Sequence, residues 1–407
     1  MTDLLLFPYY VLAAVLIYFS YKSFRGGIDY LRYFKTELAK PLSGFTPFVT
    51  IFAPCRGVDD GMIENLDALL AQDYPEFEVV FIVDEESDDA TRVIEEAWRE
   101  ARRQVKLVVA PKATDSSQKV TNLREGIEYA DPGSEVFVFV DSDARPTMPW
   151  LQNLVAPLVD ENVGATTGYR WFISKNESIA SELRNMWNAS IASALGPNRK
   201  SNFCWGGATA IRRDVFERLN ILEKWKGTLS DDFTMTRTLN SAGLDVYFVP
   251  RALTPSIENC TLRELIEFTT RQMKITRVYS PNLWLMSFVG SGLFVFVMVT
   301  SFLIMIFSQR NDLTVAVAML TILAVTVFSL GKSWLRMEAV QLVLRQYSGK
   351  LRRQLLPQLT LWSIVPAIFL YNCIAALVSR RVTWRATTYE MISETETRIV
   401  NPDSDKQ

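Results

Sequence analysis

Apolar and polar positions follow two different patterns along this chain. Between residue 46 and about residue 255, short continuous apolar runs alternate with stretches of helical period. "FVTIFAP", "FEVVFIVD", "VKLVVAP" and "EVFVFVDSD" read as strands, and "IENLDALLAQ", "ATRVIEEAWREA" and "TNLREGIEYA" read as the amphipathic helices between them. Continuous apolar strands alternating with helices predict a largely parallel sheet covered on both faces. The fold class is therefore α/β and doubly wound, an architecture that binds ligands beyond the carboxyl ends of its strands.

Outside that middle region the apolar runs lengthen and lose their charges. The run from Leu4 to Phe19 is followed by Lys22, Arg25, Arg32, Lys35 and Lys40. A signal peptide carries its positive charge ahead of the apolar core. Here the charge follows, which predicts an uncleaved anchor over residues 1–21 and a basic juxtamembrane linker over 22–45. A domain over 46–282 then faces the cytoplasm. Residues 283–307 and 313–330 contain no charge, and each approaches or exceeds the ~20 residues needed to span a bilayer. With "SQRND" between them they predict a tight hairpin over 283–330. Residues 331–355 mix basic residues with Leu335, Val340, Leu342 and Leu344, the pattern of an interfacial helix. The apolar segment 356–378 either crosses the membrane or, with Pro357 and Pro366, re-enters it. A re-entrant path keeps the basic, polar tail over 379–407 in the cytoplasm. The expectation is an integral multi-pass membrane protein.

Composition removes several function classes. Lys and Arg total 43 against 45 Asp and Glu, a balance that argues against a nucleic-acid partner. There is no histidine, and Cys55, Cys204, Cys260 and Cys373 lie far apart. Common zinc sites and Ser-His or Cys-His nucleophile systems are thereby excluded, and the thiols read as reduced or buried. No GxGxxG follows a strand and no GxxxxGK[ST] occurs, so neither a dinucleotide site nor a P-loop is expected.

The chemistry gathers where strands end in acid. "FEVVFIV" runs into Asp84, Glu85, Glu86, Asp88 and Asp89, and "EVFVFV" runs into Asp141-Ser142-Asp143. Positions i and i+2 of a strand share a face, so Asp141 and Asp143 could aim two carboxylates at one point, with the serine supplying the spacing. Mg²⁺ and Mn²⁺ take such oxygen ligands, commonly one or two carboxylates plus substrate phosphates. A turn with Asp capping the next segment is the structural alternative. In "GTLSDDFTMTRTLNSAG", Ser230 or Asp231 could cap the helix that follows. Two adjacent carboxylates exceed one cap's need, and the spare one is a candidate general base. "CWGGATAIRR" brings paired glycines that allow close backbone approach. Lys119 could reach a phosphate, and Arg271, Lys274 and Arg277 precede the spanning pair.

Taken in order, "APCRGVDDGMIENLDALLAQDYPEFEVVFIVDEESDDA", "KVTNL", "DSDARP", "GGATAIRR", "SDDF", "RQMKI" and "WRATTY" cover nearly the whole chain. They resemble membrane-bound glycosyltransferase family 2, and more narrowly ceramide glucosyltransferases. The resemblance implies a GT-A domain inserted between transmembrane helices, a UDP-sugar donor, a divalent ion (Mg²⁺ or Mn²⁺), a membrane lipid acceptor and inversion at the anomeric carbon. Carried over by position, Pro54 and Arg56 line the nucleotide pocket, and the acidic run holds the uridine. Asp88 matches the first family aspartate, with Asp84 and Glu85 as competitors. Lys119 matches a donor-side lysine, Asp141 and Asp143 the metal pair, and Asp232 the catalytic base. Arg271 and Lys274 occupy the arginine-type positions of the (Q/R)xxRW motif. Two residues depart from the pattern there, Lys274 for arginine and Ile275 for tryptophan. Lysine keeps the charge and loses the guanidinium fork. "DSD" in turn keeps a second aspartate where ceramide glucosyltransferases often have glycine. A processive polysaccharide synthase and an inactive lipid-binding scaffold are the alternatives; Ile275 argues against the first and the intact acidic set against the second.

Overall fold

All four strands expected from the apolar runs form, and they pair in parallel. The computed structural model describes residues 2–101, 103–308, 312–385 and 387–400. It opens with a 38-residue helix, α1 (Thr2–Ala39). The strands β1 (Val49–Pro54), β2 (Phe77–Val83), β3 (Gln104–Val109) and β4 (Val136–Phe139) follow, all parallel. Between them lie α2 (Met62–Leu70), α3 (Asp89–Glu100) and α4 (Gln118–Ile127). Every residue of β2 and β4 is buried, which is why they read as unbroken apolar runs.

Three further strands complete a seven-stranded sheet. They are β5 (Val163–Ile173), β6 (Thr209–Arg212) and β7 (Asp245–Ile257), and the order is β3-β2-β1-β4-β6-β5-β7. β6 is antiparallel to both its neighbours, and β5 pairs with β7 in parallel. The sheet is mostly parallel, as expected, with one reversed strand at its centre. Helices α5 (Trp150–Val155), α7 (Arg213–Arg218), α8 (Ile221–Lys224) and α9 (Asp231–Ser241) complete this part of the unit. Its core packs Phe52, Phe137, Phe139, Phe216 and Trp225, with edge-to-face contacts such as Phe139 on Trp225 at 5.4 Å.

Within the polar tail expected over 379–407, the described residues are structured. It forms a three-stranded antiparallel sheet, β8 (Arg381–Trp384), β9 (Thr387–Met391) and β10 (Thr397–Val400), and belongs to the same unit as the large sheet. Its alternate residues Val382, Tyr389 and Met391 are buried, a period-2 signal diluted by the charges between them.

The second unit comprises Met1–Lys35, Asn176–Ser193 and Cys260–Ser379. It holds α6 (Ile179–Ala192), α10 (Leu262–Tyr279), α11 (Pro281–Phe307), α12 (Asp312–Val343), α13 (Ser348–Thr360), α14 (Val365–Val378) and most of α1. Among the described residues two helices, α11 and α12, are long and apolar enough to cross a membrane. Their outward side chains include Met286, Ile306, Phe307, Leu313 and Leu323, all exposed, the surface a hydrocarbon solvent requires. α1 packs against both: Tyr9 bonds Ser301 at 2.9 Å and Tyr10 bonds Thr314 at 2.7 Å. The expected hairpin sequence "SQRND" falls partly on residues 309–311, outside the described residues. α12 continues unbroken to Val343, so residues 331–343 extend a spanning-length helix instead of starting the separate interfacial helix expected over 331–355. The helical segments Arg345–Ser363 and Val365–Val378 meet at a 59° bend, the shape of a broken span or a re-entrant loop.

Candidate active site

Because β1, β2 and β4 run parallel, Pro54, Val83 and Phe139 end at one edge of the sheet. The acidic residues lie just beyond. β4 stops at Phe139, so Asp141 and Asp143 stand in the following turn. Their convergence is therefore a property of the turn and not of strand alternation. Arg170 of β5 gathers them, donating from one guanidinium nitrogen to Asp143 Oδ2 at 2.8 Å and from another to Asp141 Oδ2 at 2.9 Å. The guanidinium also lies over Trp205, 4.8 Å from the ring centroid. Burial works to lower the Arg170 pKa, but Asp143 and Asp141 outweigh it and hold the group charged. Burial raises the Asp143 pKa, which Arg170 opposes and the Asp141 charge reinforces.

The turn is itself fastened. Asn65 of α2 donates to the Ser142 carbonyl at 3.1 Å and accepts from Arg145 Nε at 2.8 Å. Arg145 also donates to the Gly61 carbonyl at 3.1 Å. Ser142 thus supplies an anchor point as well as spacing.

Lys119 ties this acidic pair to the second one. Ser117 caps α4, accepting from the Val120 N–H at 3.2 Å, and Lys119 stands in that first turn. Its Nζ lies 2.8 Å from Asp141 and 3.5 Å from Asp231. Burial alone would lower its pKa, but the charges of Asp141, Asp231 and Asp232 raise it well above the usual lysine range. Ser230 is the N-cap of α9, accepting from Phe233 N–H, so neither aspartate is spent on that role alone. Asp231 is buried, and burial pushes its carboxyl up to about 6 against the opposing charge of Lys119. Asp232 is half-buried. It accepts from the Phe233 N–H at 2.7 Å and from Ser230 Oγ through Oδ1, and from the Gly206 N–H at 3.4 Å through Oδ2. A Cβ on Gly206 would stand 2.7 Å from both Asp231 Oδ2 and Lys119 Nζ. Glycine is what lets this loop cross the ion pair.

The other strand tip holds the remaining residues singled out by the sequence. Asp84 is buried at the end of β2, with Lys112 at 3.1 Å and Arg56 at 3.7 Å. Glu85 is exposed and also pairs with Lys112. Asp88 caps α3: its Oδ1 accepts from the Ala90 and Gly57 N–H groups, each at 2.8 Å. It fastens the loop after Pro54 to the start of α3. Arg271 and Lys274 stand on α10 of the helical unit, where burial lowers the Lys274 pKa. Arg170, Asn65, Arg145 and Lys112 were not singled out by the sequence. Arg170 alone left a signal, a single charge inside the apolar run "GYRWFI".

The donor set suits a hard divalent ion. Two carboxylates already converge on one cation, and Asp143 Oδ1 is buried with no hydrogen-bond partner. Among the described residues no third acidic, histidine or cysteine side chain joins them, so the remaining ligands would come from substrate phosphates and water.

Several solved structures are similar in fold. A mannosyltransferase from Pyrobaculum calidifontis, in complex with GDP-Man and Mn²⁺, is 18% identical with a TM-score of 0.46, covering 90% of this chain and 98% of its own. Glucosyl-3-phosphoglycerate synthase from Mycobacterium tuberculosis is 15% identical with a TM-score of 0.35, covering 58% of this chain and 86% of its own. GalNAc-T7, with UDP, GalNAc and Mn²⁺, is 14% identical with a TM-score of 0.38, covering 53% of this chain and 44% of its own. The model of glycosyl transferase family 21 matches residues 11–397, in line with the resemblance to ceramide glucosyltransferases. With nearly its whole length inside that match, and with its acidic residues at the carboxyl edge of an α/β sheet, the chain belongs to glycosyl transferase family 21 and is a membrane-associated glycosyltransferase.

Proposed function

We propose that the protein transfers a sugar, glucose favoured, from a UDP-sugar to a hydroxyl of a membrane lipid, with inversion at the anomeric carbon and a ceramide-type acceptor. The observation that carries this reading is the link made by Lys119, which bonds both Asp141 and Asp231. It joins a cation-binding pair to a second acidic pair at one sheet edge.

In this reading Pro54, Arg56, Asp84, Glu85 and Asp88 surround the nucleotide at the tips of β1 and β2. Asp141 and Asp143 would hold Mg²⁺ or Mn²⁺, which when bound supplies positive charge to the diphosphate. Arg170 and Lys119 keep those carboxylates in place and add charge beside the leaving group. Arg271 and Lys274 are the family-motif cations on the helical unit, assigned to the diphosphate or the acceptor headgroup. Asp232, less buried than Asp231 and fixed by three donors, takes the proton from the lipid hydroxyl. The freed oxygen forms the new bond to the anomeric carbon as the bond to UDP breaks and UDP leaves with the electron pair. Asp231 stays with Lys119. The catalytic unit faces the cytoplasm, where nucleotide sugars are met.

The Asp232→Asn variant tests the assignment. General-base loss costs about 10²–10⁴-fold in rate, so transfer should fall at least ~100-fold while UDP binding by calorimetry stays within about twofold. Asp231→Asn should instead weaken both, because it removes a partner of Lys119. Retained transfer in Asp232→Asn would take the base role from this residue.

A further inference from the structure

The "WRATTY" stretch near the C-terminus has no part in the chemistry derived so far, yet it and the β9–β10 turn touch three of the loops that carry that chemistry. At the β8–β9 turn, Arg385 forms an ion pair with Asp59 and its guanidinium lies 3.5 Å from where a Cβ of Gly57 would be. The next strand residue, Thr387, accepts from Arg56 at 3.5 Å. These contacts hold the loop that follows Pro54. Two residues further on, Tyr389 is 1% exposed and its hydroxyl accepts from the Gln118 N–H at 3.2 Å. That N–H belongs to the first turn of α4, directly before Lys119. At the β9–β10 turn, Glu394 pairs with Arg237 of α9. The Thr395 carbonyl sits 2.2 Å from where a Cβ of Gly227 would be, so only glycine admits it. Gly227 opens the loop leading to Asp231 and Asp232, and Thr228 accepts from Ser117 N–H at 3.0 Å.

A single small sheet thus braces three loops far apart in sequence: two carry Arg56 and Lys119 of the donor site, and the third leads to Asp231, the partner of Lys119. Two hydrogen bonds to backbone or loop carboxylate would be needless if the sheet merely closed the chain, because its buried Val382 and Met391 already pack it. We propose that the C-terminal sheet is a support of the donor site and that Tyr389 and Arg385 are positioning residues. Tyr389 sets the height of Lys119, and Arg385 sets the loop carrying Arg56. This rests on the UDP-sugar reading above.

The test uses the full chain in detergent, with UDP as the probe. Tyr389→Phe removes one hydroxyl and keeps the ring that fills the core. The UDP Kd should rise about fivefold, as expected for one lost hydrogen bond, with Tm nearly unchanged. Amide exchange should quicken in a peptide covering residues 117–122. Arg385→Met should raise the Kd by a similar factor and Arg385→Lys should restore most of it. Asp59→Asn should match Arg385→Met, and combining the two should cost no more than either. An unchanged Kd in both Tyr389→Phe and Arg385→Met overturns the proposal, even where exchange quickens, because the sheet would then serve the fold alone. Wild-type protein giving no heat with UDP overturns the UDP reading itself, a result no variant comparison can mimic.

Discussion

Arg170 is the residue whose charge decides the state of the site. Two carboxylates share its guanidinium in a part-buried setting, and removing the cation leaves uncompensated charge at a cost below the ~3–5 kcal/mol of a fully buried pair. A divalent ion would meet the same two carboxylates and the free Asp143 Oδ1. Arg170→Met should therefore melt well below the wild type without metal, and Mn²⁺ should raise its Tm by more than it raises that of the wild type. Equal increments in a thermal-shift series would show that the ion and the guanidinium answer to different groups. Gly206 makes the complementary point, since its lack of a side chain is what allows Lys119 and Asp231 to meet. The acidic pairs were legible in the sequence because a charge at the end of an apolar strand stands out. Arg170 and Asn65 were not, because they reach Asp143 and Ser142 across 27 and 77 positions, distances that only topology closes.

Elements differ in how plainly their sequences announce them. β1 to β4 were legible because burial on both faces makes them continuously apolar. β5 interrupts its apolar residues with Gly164, Thr166, Thr167, Gly168 and Arg170, and β7 contains Pro250, Arg251 and Pro255, so neither shows a strand period. α6 carries a different departure. Glu182 is 2% exposed, and burial pushes its carboxyl up to about 7, against a hydrogen bond from Gln354 at 3.4 Å and with the nearby Glu177 charge adding to the rise. Its ordinary value is 4.5, so the fold favours the neutral acid. A raised carboxyl pKa contributes stability that is complete below about 4.5 and is lost as pH climbs through about 7. The loss is about 3 kcal/mol at pH 8. Glu182→Gln should accordingly raise Tm by roughly 5 °C at pH 8 and leave it unchanged at pH 4. A shift of equal size at both values would mean that shape, and not ionisation, governs the site.

At the scale of the whole molecule, the two textures of the sequence correspond to two units, but their borders do not follow chain order. The helical unit takes α6 from the middle of the chain, and the sheet unit takes back residues 380–400. A linear reading cannot see such exchanges, because α6 and residues 380–400 join partners far away in sequence. The helical unit also bears on how many sugars are added. A polymer must thread past the spanning helices, which demands a wide polar passage. Where α1 meets α11 and α12, Ala13, Leu16, Val297, Ala318 and Val325 are buried against one another, and Tyr9 and Tyr10 spend their hydroxyls on Ser301 and Thr314. This seam is lined with apolar side chains. Ile275, in place of the tryptophan of processive enzymes, points the same way. Incubation with UDP-glucose and a ceramide acceptor, read by lipid mass spectrometry, should give one product a single hexose heavier than the acceptor. Its yield should fall to background with EDTA and return with Mn²⁺. A ladder of hexose increments would overturn single transfer, and a single product insensitive to EDTA would mean that Arg170 and Lys119 carry the leaving-group charge without an ion.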